Sequence, residues 1–168
     1  MEIHLFFAKL SWFLLIVILY WRPLAQITKN KFLLQKLIYR KQLGIICGIS
    51  AFLHAGIFLI SSGLLGSYFS NPNFWRPDNF LFWGSLGAVA MFFPLITSNT
   101  FSQKILGKKW KALQMFSYPA FIFTGLHIAL LKGYWLSGIA PVIVWAVLWL
   151  WARRVCFLSS KQAECQDL

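Results

Sequence analysis

Five apolar stretches, each close to twenty residues and separated by short basic clusters, constrain this chain more than any motif in it. They cover residues 5–21, 43–65, 80–97, 112–131 and 135–152. About twenty residues at 1.5 Å per residue cross the ~30 Å hydrocarbon layer of a bilayer. The pattern predicts a single all-α domain over residues 1–168, an integral membrane bundle of about five transmembrane helices. Composition agrees, since only 12% of the 168 residues are charged against 59% apolar, with a mean hydropathy of +0.66. A soluble domain carries about 25% charged residues. The first run has the length of an uncleaved signal segment. Its positive charge follows the run instead of preceding it, and no small-residue cleavage site is present, so it reads as a true span.

The placement of the basic residues predicts the orientation. Arg22, Lys29, Lys31, Lys36, Arg40 and Lys41 follow the first run, Lys104, Lys108, Lys109 and Lys111 follow the third, and Arg153, Arg154 and Lys161 follow the fifth. These 13 of the 16 Lys and Arg residues share one side, leaving Lys9, Arg76 and Lys132 on the other. The positive-inside bias puts the N-terminus outside and the C-terminus in the cytoplasm. The net charge of +12 therefore encodes topology and does not point to nucleic acid; membrane lipid is the expected surrounding.

All four carboxylates, Glu2, Asp78, Glu164 and Asp167, fall outside the spans. This argues against a proton- or cation-coupled transporter and excludes glycosidase-type carboxylate chemistry. Cys47, Cys156 and Cys165 form no CxxC pair and read as ordinary thiols. Two ionisable groups remain inside spans, His54 and His127. His54 lies 13 residues past Lys41 and His127 16 past Lys111, roughly 20 and 24 Å of helix. Two imidazoles at similar depth in the outer half, on parallel helices, are a candidate pair of axial ligands for the iron of a low-spin b-type haem. Neutral imidazole is cheaper to bury than carboxylate or thiolate. A pair of hydrogen-bonded core histidines is the alternative. His4, at the outer edge of the first run, reads as an interface residue. Gly44, Gly48, Ala51 and Ala55, with Ala120, Thr124 and Gly125, leave room for a flat ligand, although Gly44-x-x-x-Gly48 equally serves helix contact. Ser50, Ser61 and Thr124 are candidate hydrogen-bonding groups around the ligands.

Tyr39-Arg40-Lys41-Gln42-Leu43-Gly44, running on to Phe52-Leu53-His54, resembles the ferric-reductase-like transmembrane domain. It is nearest the bacterial haem-binding branch, the MsrQ (YedZ) membrane subunits. Thr97-Ser98-Asn99, then Leu106-Gly107-Lys108-Lys109-Trp110-Lys111-Ala112-Leu113 and Gly125-Leu126-His127, are similar to later segments of the same family. The likeness runs from about Arg22 to Trp149. It implies membrane electron transfer through haem b with His54 and His127 as axial ligands. It further implies electrons from quinol or a cytosolic flavin reductase, a periplasmic reductase as acceptor, and a bacterial inner membrane. Quinone, or flavin from a partner, would be the accompanying cofactors. On this reading the chain is an electron-transfer subunit and not a complete enzyme.

The sequence departs from that family in three places. Gln114 stands where the family usually has a histidine, 13 residues before the outer ligand, so a second haem near the inner face lacks an axial partner. Pro119 is expected to kink the fourth span between the two ligand levels. Only sixteen residues follow Ala152 and no Gly-rich nucleotide loop occurs, so NAD(P)H oxidation is expected on another protein. The basic loops are expected to orient the chain, and additionally to meet haem propionates or anionic lipid. The alternative function is a haem-free structural or assembly subunit that keeps the bundle.

Overall fold

The computed structural model describes residues 3–131 and 133–158. Glu2, Lys132, Lys161, Glu164, Cys165 and Asp167 lie outside the described residues. The fold is all-α: α1 (Ile3–Thr28), α2 (Lys31–Gln35), α3 (Arg40–Ser61), α4 (Phe80–Ile96), α5 (Thr100–Leu106), α6 (Lys108–Gln114), α7 (Ser117–Leu130) and α8 (Trp135–Leu158). Single 3-10 turns at Lys36–Tyr39 and Pro72–Trp75 complete it.

Four helical stretches are long and apolar enough to cross a membrane: Ile3–Thr28, Lys31–Ser61, Lys108–Leu130 and Trp135–Val155. A fifth, α4, continues into α5 across a 90° bend. The long helices close a ring in which α1 packs on α3, α3 on α4, α4 on α7, α7 on α8 and α8 back on α1. The five meet in one core. It contains Leu15 and Leu19 of α1, Cys47 of α3, Met91 of α4, Phe121 of α7 and Trp145 of α8. Meanwhile Val89, Phe92, Ile143 and Val147 point outward and are exposed. An apolar exterior around satisfied helical backbone is the arrangement a bilayer requires.

Element ends differ from the sequence expectation, each for a local reason. The first span does not stop at Trp21-Arg22-Pro23. The helix runs through a buried Pro23 to Thr28, and Trp21 donates its Nε1–H to the Leu33 carbonyl (3.0 Å), pinning α2 under the end of α1. The second apolar run continues to Leu65, yet α3 ends at Ser61. Gly63 there adopts φ +69°, and Leu64 N–H bonds back to the Leu59 carbonyl (3.1 Å), a left-handed glycine cap. The basic segment after Ser98 is not a loop, because it holds α5 and α6, joined at Gly107 with φ +48°. The fourth span is interrupted not at Pro119 but earlier, at Met115–Phe116 between α6 and α7. Pro119 is the third residue of α7, where a backbone N–H would have no partner within the helix.

Candidate functional site: two imidazoles anchored on backbone carbonyls

His54 and His127 occupy the same end of the bundle. His54 Nδ1 lies 2.9 Å from the carbonyl oxygen of His4, in the first turn of α1. His127 Nδ1 lies 2.8 Å from the carbonyl oxygen of Phe80, the first residue of α4. A carbonyl only accepts, so in both rings Nδ1 carries the proton and donates. The neutral tautomer this fixes leaves the Nε2 lone pair available. A carbonyl oxygen has two lone pairs, so each can serve an imidazole as well as its own helix.

Local sequence places both acceptors. Asn79 caps α4 by accepting from Leu81 N–H (2.9 Å), and Trp83 Nε1 donates to the Pro77 carbonyl (2.7 Å). Together they set where α4 begins and therefore where the Phe80 carbonyl sits. Tyr68 and Ser85 hydrogen-bond through their hydroxyls, tying the 62–79 connection to the same helix. On the α1 side, the His4 ring stacks on His54 with centroids 5.8 Å apart and planes 15° apart.

Helix register gives the relative depth of the two histidines. Trp12 of α1 stacks on Phe121 of α7 (5.1 Å). Trp12 is eight residues below His4, and Phe121 is six before His127, so through α1 the two levels agree to about 3 Å. Through α4, where Gly48 meets Leu95 and Gly84 meets His127, they agree to about 8 Å. Among the described residues α3 and α7 share no packed interface.

The small residues divide into distinct jobs. A Cβ on Gly84 would come within 2.8 Å of His127 Nδ1, so the absent side chain is what admits the ring. Gly48 is closed off by Leu95, Gly125 by Val142 and the Gly138 backbone, and Gly87 faces Thr124 and Ala120. These three are helix contacts and leave no space for a ligand. Of the three glycines among the expected spacers, Gly44 alone has nothing within 4 Å of its Cβ position. The polar candidates do not reach the imidazoles: Thr124 Oγ1 donates to Ala120 O (2.8 Å) and Ser61 Oγ to Phe58 O (3.3 Å). Ser50 is buried. The sequence reading missed that backbone carbonyls take this role, and that His4 contributes one; no side-chain pattern signals a carbonyl.

At the opposite end, a cavity of about 1340 Å³ opens between α1, α3, α4, α6, α7 and α8, with Gly44 on its wall. Gln114 also lines it, but its amide donates to Pro94 O (3.2 Å) and Thr97 Oγ1 (3.0 Å), tying α6 to the end of α4. Trp110 Nε1 reinforces that tie by donating to Thr97 O (2.8 Å). No group of three or more His, Cys, Asp or Glu gathers among the described residues.

A multi-pass bundle of long apolar helices is an integral membrane protein, and this one carries two Nδ1-protonated imidazoles near one end. Residues 5–125 match the family described as the ferric reductase like transmembrane component, and the chain belongs to that family. Its role is accordingly in membrane redox chemistry and electron transfer. The matched residues include His54 and end two before His127. No curated protein and no solved structure matches the chain.

Proposed function

We propose that the chain is a b-type haem-binding subunit that carries electrons within the membrane, with His54 and His127 as the axial ligands. One observation carries the reading. Both imidazoles donate Nδ1–H to a backbone carbonyl, the second partner typical of metal-bound histidine, which fixes the ring and raises the basicity of Nε2.

The donor chemistry at this end suits haem. Two neutral imidazoles on α3 and α7 supply the donor set of a low-spin iron, and Gly84 leaves room for the ring of His127. When bound, haem supplies a one-electron carrier in a low-dielectric layer. The chain holds the imidazoles on the His4 and Phe80 carbonyls and sets the tautomer at Nδ1. The basic end does not fit a second haem in the same way, because no histidine lines that cavity and the Gln114 amide is committed to Pro94 and Thr97.

The finer assignment follows the MsrQ-like resemblance. Electrons would come from quinol or a cytosolic flavin reductase and leave to a periplasmic reductase, with the N-terminus outside in a bacterial inner membrane. The asymmetry of the basic residues supports that orientation. A reduced-minus-oxidised visible spectrum of the detergent-purified chain, with haem per chain, tests the proposal. A sharp b-type α band at about one haem per chain is expected. No haem in chain made by cells fed a haem precursor would overturn it in favour of a structural subunit.

A further inference from the structure

We propose that the cavity at the basic end is a binding site for one acidic phospholipid. Its mouth carries Arg22 of α1, Arg40 and Lys41 of α3, Lys111 of α6 and Arg153 and Arg154 of α8. Four helices thus direct six cations at one opening. Asp78 is the one carboxylate among the described residues, and it pairs with Arg76 (3.3 Å) in the connection before α4, at the other end. Six like charges converging on one opening repel one another unless an anion joins them.

Depth makes the anion an amphiphile. Leu15 lies seven residues from Arg22 along α1, roughly 10 Å further in. There the wall is Leu15, Leu19, Cys47, Met91 and Trp145. At about 1340 Å³ the space exceeds the usual range for small-molecule pockets, far more than a free phosphate fills. Gly44 leaves the α3 wall open. Cys47 Sγ is already directed to Ser11 O (3.3 Å). The cationic mouth chooses an acidic headgroup over a zwitterionic one, since each Lys or Arg near an anionic lipid contributes roughly fivefold to binding.

Native mass spectrometry of the full chain in non-ionic detergent, with phosphatidylglycerol, phosphatidylcholine or inorganic phosphate added, tests this. One phosphatidylglycerol is expected to be retained at least about tenfold better than phosphatidylcholine. Arg40→Gln with Lys41→Gln should lower that retention more than about tenfold. Lys104→Gln with Lys108→Gln, charges that do not line the cavity, should leave it unchanged. Gly44→Leu keeps every charge and fills the space, and should also lower retention. Equal retention of the two lipids, equal loss in both charge pairs, or full retention in Gly44→Leu would each sink the proposal. Inorganic phosphate binding as tightly as the lipid would show an ion site with no role for the apolar wall. Two haems per chain, one lost with Arg40→Gln and Lys41→Gln, would replace the lipid by porphyrin.

Discussion

His54 of α3 is tied to His4 of α1 twice, through an Nδ1–H donated to the His4 carbonyl at 2.9 Å and through stacking of the two rings at 5.8 Å. His127 is likewise tied twice to Phe80 of α4, through an Nδ1–H donated to its carbonyl at 2.8 Å and through a tilted ring contact at 5.5 Å. Each histidine therefore borrows its orientation from the beginning of a neighbouring antiparallel helix. A pair of imidazoles held in this way depends on two helix starts that lie far from it in sequence.

Replacing either imidazole separates ligand from scaffold. His54→Ala and His127→Ala are each expected to abolish the b-type spectrum of the purified chain while helical content by circular dichroism and membrane extraction stay as in the parent. Both rings are only part-buried and neither belongs to the core cluster, so the bundle survives their loss. A normal spectrum in either variant would rule that residue out as a ligand.

The two contacts of His4 come apart on mutation, because one is backbone and the other side chain. His4→Leu keeps the carbonyl that accepts from His54, so about one haem per chain is expected to remain. The stacked ring is lost, and with it a polar neighbour of the ligand, so the midpoint potential should move. Redox titration followed in the α band measures the shift. Loss of haem from this variant would mean that the His4 side chain, and not its backbone, holds the site.

Gly84 is predicted to be intolerant of even one methyl group. A Cβ there stands 2.8 Å from His127 Nδ1 and 3.1 Å from its Cε1, so Gly84→Ala must push the ring off the Phe80 carbonyl. Haem occupancy is expected to fall several-fold, with a stability loss of about 1–3 kcal/mol as for other overpacked sites. Gly44→Ala, at a position with open space, serves as the comparison and should keep full occupancy.

Gly138 faces backbone and has no soft neighbour. Its Cβ position falls against the Gly125 carbonyl oxygen, and 2.7 Å from Ala129 N, where α7 and α8 touch most closely. Gly138→Leu is expected to force those helices apart and lower the unfolding midpoint in detergent. The cost should exceed that of Gly84→Ala, because here backbone and not a ring would have to move. Equal midpoints for the two variants would contradict the close α7–α8 contact.

The class of this protein is legible in its apolar runs. Twenty-residue apolar runs with so few charges leave a chain only one way to satisfy its backbone in lipid, as helices. The same scarcity of charge singles out His54 and His127. The tertiary structure alone decided the rest. Hydropathy is blind to where a helix ends, so Gly63 closed α3 inside an apolar run, α1 passed through Pro23, and the break before α7 fell at Met115–Phe116. Side-chain identity is equally blind to backbone acceptors. The carbonyls of His4 and Phe80, which fix both imidazole tautomers, became visible only once α1 and α4 were seen to start beside them. The division of the glycines was also hidden, since a missing Cβ has no meaning until its neighbour is known: His127 at Gly84, backbone at Gly138, and open cavity at Gly44.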